Sequence, residues 1–131
     1  MTGLDTNVLV RYFVKDDPLQ TQAAEGLLDS LSPEEPGWLG LIVLVELVWA
    51  LRFMYRFQRD GIARIVESLL RSLDVVVDQE NVVHQALSLY RNSKADFADC
   101  LIAASARAAG CSKTVTFDRI AARDAGMELL T

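Results

Sequence analysis

Histidine occurs once and cysteine twice in the 131 residues, and this scarcity removes several chemistries at once. Cys100 and Cys111 stand without a CxxC spacing or nearby histidines, which excludes a zinc site and a disulfide scaffold and predicts two reduced core thiols. His84 falls in a helical pattern with Val83, Leu87 and Tyr90, and nothing marks it as a ligand or base. An excess of positive charge is also missing. Thirteen Lys and Arg against eighteen Asp and Glu give a net charge of −5, the wrong sign for gripping nucleic acid by bulk electrostatics, so any such contact must be local. No apolar run reaches about 18 residues, because Glu46 interrupts the one that comes close, and no membrane span is predicted. A charged leader followed by an apolar stretch is absent from the N-terminus, which predicts a cytoplasmic protein.

What is present is apolar. Hydrophobic residues make up 51% and charged residues 24%, the balance of one domain spanning 1–131. The mean hydropathy of +0.20 exceeds what a domain of this size hides, so some apolar side chains are expected at an interface.

Along the chain, short β-branched segments alternate with helical patterns. A strand is barely begun before Asp5, and residues 8–14 follow as a loop and helical turn. Asp17 as N-cap with Pro18 at the first helical position starts a helix over 18–31. Residues 32–37 are a loop and Trp38-Leu39 a strand. Residues 41 to about 57 form the longest apolar segment, where periodicity cannot separate strand from helix and length favours helix. Helices are predicted over 61–72, 79–92, 96–109 and 119–124, and strands over 74–77, 113–117 and 127–130. This alternation predicts an α/β fold with a short parallel sheet covered on both faces.

Five carboxylates stand out against that frame. Asp5 and Asp118 follow predicted strands, which places both at the carboxyl edge of one parallel sheet, where ligands bind. Asp96 and Asp99, spaced i, i+3, share a face at a helix start. Glu46 lies amid Leu41-Ile42-Val43-Leu44-Val45 and Leu47-Val48-Trp49, where an unpaired charge is costly to bury. A hard divalent cation such as Mg²⁺ or Mn²⁺ would remove that cost, and all-oxygen sites of this kind hydrolyse phosphodiesters by activating water. Structural readings compete. Asp5, Asp96 and Asp118 can each cap the backbone that follows, and Asp99 can be a first-turn carboxylate. The pairs Asp16-Asp17 and Glu34-Glu35 read as a capping motif and a surface loop.

Four segments are distinctive together: Gly3-Leu4-Asp5-Thr6-Asn7-Val8-Leu9-Val10-Arg11-Tyr12, Val43-Leu44-Val45-Glu46-Leu47-Val48-Trp49-Ala50-Leu51, Ala95-Asp96-Phe97-Ala98-Asp99-Cys100-Leu101-Ile102-Ala103 and Thr116-Phe117-Asp118-Arg119. In this order they resemble the PIN-domain nucleases, in particular the VapC-type toxins of toxin–antitoxin pairs. The resemblance implies a three-layer α/β/α sandwich and cleavage of single-stranded RNA that depends on Mg²⁺ or Mn²⁺. It implies Asp5, Glu46 and Asp99 as core acidic positions, Asp118 as a fourth and Asp96 as an additional one. Thr6 and Asn7 would orient Asp5, and Thr116 would bond a carboxylate or water. It also implies a homodimer held inactive by a small antitoxin. The aromatic stretch Trp49, Phe53, Met54, Tyr55, Phe57, interleaved with Arg52, Arg56 and Arg59, suits a protein groove or a stacked RNA strand, and equally a core with a basic face. Gly40 and Ile120 depart from the pattern, standing where relatives often carry a hydroxyl and a basic residue. The second departure leaves Arg119, Arg123 and Arg11 as candidate phosphate contacts.

Two other readings compete. A haloacid-dehalogenase-type phosphatase would need an acid at Asn7 and a lysine motif that the chain does not offer. An inactive PIN-like interaction module would not be expected to retain all five carboxylates.

Overall fold

The computed structural model describes all of residues 1–131, which divide into two units, Met1–Asp78 and Gln79–Thr131. The alternation of short strands and helices is that of an α/β protein, as expected, with every strand pair parallel.

The first unit holds β1 (Thr2–Gly3), α1 (Thr6–Val14), α2 (Pro18–Ser30), β2 (Gly37–Leu39), α3 (Leu41–Phe53), α4 (Arg59–Arg71) and β3 (Val75–Val77). Its strands form a sheet in the order β1-β2-β3, with Gly3 beside Trp38 and Trp38 beside Val76. Leu39, Val75 and Val77 point into the core, and Trp38 and Val76 point the other way. Helix α2 begins where the local signal puts it, with the Asp17 carboxylate accepting the Gln20 N–H at 3.0 Å and Pro18 in the first turn.

Helix α3 resolves the ambiguous apolar run. Leu44, Leu47, Val48 and Leu51, at i, i+3, i+4 and i+7, are buried, and α1 and α4 pack against the helix. It ends at Phe53, earlier than its composition suggests. The chain reverses at Arg56, whose φ is 58°, and the Phe57 N–H donates to the Leu51 carbonyl at 2.8 Å. That left-handed position is normally marked by glycine, and here no glycine marks it.

Helix α3 also opens without a side-chain cap. Gly40 is its N-cap residue, and a Cβ there would lie 2.9 Å from the Trp38 indole. The indole thus occupies the space that a capping hydroxyl at position 40 would need.

The second unit holds α5 (Glu80–Arg91), α6 (Phe97–Ala108), β4 (Val115–Thr116), α7 (Arg119–Asp124) and β5 (Glu128–Leu129). Helices α5 and α6 pack together through Val83, Ala86, Tyr90, Phe97, Cys100 and Leu101, with the Tyr90 and Phe97 rings edge to face at 5.5 Å. Strands β4 and β5 pair in a sheet of their own. This corrects one expectation. Asp5 and Asp118 follow strands of different sheets, so a shared sheet edge does not relate them. Cys111 is a second correction: Cys100 is a buried core thiol, but Cys111 is exposed.

The surplus of apolar side chains is visible on the surface. Ile42, Trp49 and Phe53 line the outer face of α3, Met54 follows them, and Phe117 and Ile102 are exposed in the second unit. No helix is long and apolar enough to cross a membrane.

Candidate active site

In the first unit, Asp5 occupies the N-cap of α1 with extended backbone, and its Oδ1 accepts the Thr6 N–H at 2.9 Å. The capping role open to Asp5 is therefore filled, and it uses one carboxylate oxygen. The same residue, Thr6, turns its hydroxyl the other way and donates to Glu46 Oε1 at 2.7 Å across 40 positions of sequence. Thr6 thus holds both acids, Asp5 through its backbone and Glu46 through its side chain. The sequence pointed only to the first of these contacts.

Glu46 is not buried. It lies on the exposed stripe of α3 with Ile42, Trp49 and Phe53, spaced i, i+4, i+7 and i+11. The cost inferred from its apolar neighbours in sequence does not arise, because the helix turns Leu44, Leu47 and Val48 inward and Glu46 outward. Its bond to Thr6 remains the specific feature of this carboxylate.

Asp5, Thr6, Asn7 and Glu46 form the polar end of a cavity of about 490 Å³, whose remaining walls are Val10, Arg11, Val45, Trp49, Ala50, Met54 and Tyr55. Arg11 is held from three sides. Its Nε donates to Gln20 Oε1 at 2.8 Å, and its Nη1 to Asp16 Oδ1 at 2.7 Å and to the Tyr55 hydroxyl at 3.4 Å. Asp16, set aside in the sequence as part of a capping pair, is therefore the ion-pair partner of a cavity wall residue.

In the second unit, Asp96 is the N-cap residue of α6 and Asp99 lies in its first turn. Asp96 makes no side-chain capping bond to α6. Partial burial, then the charges of Asp96 and Asp118, push the Asp99 carboxyl above its ordinary pKa. Asp118 caps α7, with Oδ1 accepting from the Ile120 and Ala121 N–H groups at 2.8 and 3.0 Å. Thr116 does not bond a carboxylate. Its hydroxyl accepts the Asp118 N–H at 3.0 Å and fixes the turn that presents Asp118. Arg123 is tied to Asp124 through two bonds of 3.1 and 3.0 Å, whereas Arg119 is exposed at the start of α7.

No group of three or more His, Cys, Asp and Glu side chains is disposed to enclose an ion. The chemistry of the two groups nevertheless suits a hard cation. All donors are carboxylate oxygens, Asp5 and Asp118 each keep one oxygen outside their capping bonds, and mutual repulsion around Asp99 is relieved by any positive charge placed there.

The raised pKa has a measurable consequence. The folded protein binds the Asp99 proton more readily than the unfolded chain does, so the ionised carboxylate lowers stability once pH rises through the folded value. Asp99→Asn is expected to raise the melting temperature of metal-free protein at neutral pH by about 1–3 °C. The difference should close at acidic pH, where Asp99 is protonated. Thermal melts at both pH values check this, and a lower Tm for the variant at neutral pH would contradict it.

Comparison with known proteins agrees with the resemblance read from the four segments. The PIN domain model matches residues 4–126, taking in elements of both units. A VapC ribonuclease from Aquifex aeolicus (strain VF5) is 29% identical over 120 residues, 91% of this chain and 88% of that protein. A crystal structure of FitAcB from Neisseria gonorrhoeae aligns over 100% of this chain and 97% of its own, at 22% identity and a TM-score of 0.38. With a family match that runs from the residue before Asp5 to Gly126 beyond α7, the chain belongs to the PIN domain family.

Proposed function

We propose that this protein is a metal-dependent endoribonuclease that hydrolyses phosphodiester bonds in single-stranded or loop RNA, and that it is the toxin of a toxin–antitoxin pair, acting in the cytoplasm. The observation that carries the reading is the Asp5–Thr6–Glu46 arrangement at the mouth of a cavity, in a PIN-family chain similar to a VapC ribonuclease. We read residues 1–131 as one nuclease domain, with Asp5, Glu46, Asp96, Asp99 and Asp118 as the residues that hold Mg²⁺ or Mn²⁺.

When bound, the cation supplies positive charge that activates water and offsets the charge developing on the phosphate oxygens. The chain supplies the rest. Thr6 fixes the rotamers of Asp5 and Glu46, so their oxygens are oriented before substrate arrives. Asp99, whose carboxyl is held above its ordinary pKa, is favoured in its ionised form by a nearby cation. Thr116 and the α7 backbone hold Asp118 in place. Arg119, exposed one residue later, is our candidate for contact with an RNA phosphate. The exposed apolar side chains support a small antitoxin and a second copy of the chain as partners.

Purified, partner-free protein incubated with total cellular RNA should generate discrete new ends with Mg²⁺ or Mn²⁺ and none with EDTA. Absence of cleavage with every divalent ion would favour a PIN-like interaction module instead.

A further inference from the structure

The cavity lined by Asp5 and Glu46 is also lined by Val10, Val45, Ala50 and Met54 and by the rings of Trp49 and Tyr55. Neither the capping of α1 nor the packing of α3 requires these aromatic rings to face a cavity. Trp49 is 56% exposed, and its indole lies beside the Phe53 ring, centroids 5.6 Å apart and planes tilted by 46°, with the Arg52 guanidinium 4.8 Å from the Phe53 centroid. The result is an aromatic surface that faces solvent. Arg11 lines the same cavity and is immobilised through Nε and Nη1 alone, so Nη2 is not used by those bonds. It is the one cation among the lining residues.

An exposed indole and a preorganised guanidinium in one cavity match the base and the phosphate of a nucleotide, beside the carboxylates of Asp5 and Glu46. Bases stack on aromatic side chains whatever their sequence, and guanidinium groups match phosphate geometry. We infer that the cavity binds one nucleotide of the substrate next to the scissile bond, with its base stacked on Trp49 and its phosphate met by Arg11. This rests on the ribonuclease reading and adds to it the site that positions the strand. Arg11 is partly neutralised by Asp16, so its contribution is orientation more than bulk attraction.

The test uses the full chain with Trp38→Phe, which leaves Trp49 as the sole tryptophan, and nucleoside monophosphates, which contain no phosphodiester bond to cut. In Mg²⁺, saturable quenching of Trp49 fluorescence is expected with the monophosphates and not with ribose 5-phosphate. Arg11→Met should weaken it. In RNA cleavage, Trp49→Ala should raise KM about tenfold or more with kcat less affected, and Trp49→Phe should recover most of the loss. Thermal melts establish that each variant is folded.

Quenching that is absent, or equal with ribose 5-phosphate, overturns the inference. So does a Trp49→Ala protein with unchanged KM; if that variant also loses a copurifying protein, the cavity is a docking groove for a partner. Base-dependent quenching by a protein that cuts no RNA with any divalent ion would keep the nucleotide site and remove the ribonuclease reading.

Discussion

Asp5→Asn is expected to abolish RNA cleavage while leaving the fold intact. Asparagine is as good an N-cap as aspartate, and its Oδ1 can accept the Thr6 N–H that Asp5 accepts now. What the substitution removes is the charge. If Asp5 holds the cation as proposed, losing that charge forfeits several kcal/mol of transition-state stabilisation, on the order of 10³-fold in rate. Asp99→Asn should have an effect of similar size on cleavage, and there the loss of activity should accompany a gain in stability. Discontinuous cleavage assays with single-turnover amounts of enzyme, together with circular dichroism melts, separate the two effects. A folded Asp5→Asn protein with wild-type cleavage would remove Asp5 from the machinery and leave it a helix cap.

Leu47→Ala should produce the largest loss of stability. Leu47 is fully buried on α3, in the helix that also carries Glu46. Truncating a buried leucine costs about 2–5 kcal/mol, a large share of the roughly 5–15 kcal/mol that holds a typical domain folded. A fall in Tm of about 10 °C or more is expected. Ile42→Ala, on the exposed stripe of the same helix, should change stability by less than about 0.5 kcal/mol. Denaturant titrations of both variants compare the two faces directly, and equal effects would contradict the inward and outward placement of α3.

Local signals were read well because they act within one turn of chain. Asp17-Pro18 starts α2, and α7 spans 119–124 as expected. Composition predicts a five-residue strand over 113–117, whereas β4 holds two residues, Val115–Thr116. β-branched composition says that a segment tolerates extended backbone, not that a partner strand lies beside all of it. The end of α3 was missed because the left-handed residue there is Arg56, which carries no compositional mark. Glu46 stands out in the sequence as a buried charge, yet it is exposed. Eleven consecutive residues with ten apolar side chains look like a buried setting on paper, but a helix presents them to all sides and only some meet the core.

The sequence by itself determined the α/β class and the order of elements, because caps, periodicity and turn residues express preferences of the chain within a few residues. Only the tertiary structure decided which side chains distant in sequence meet. It joined Thr6 to Glu46, gave Arg11 its three partners, opened a cavity toward Trp49 and Tyr55, and distributed five strands between two sheets. These are relations between segments distant in sequence, set by which faces are buried against one another, and no local preference of the backbone encodes them.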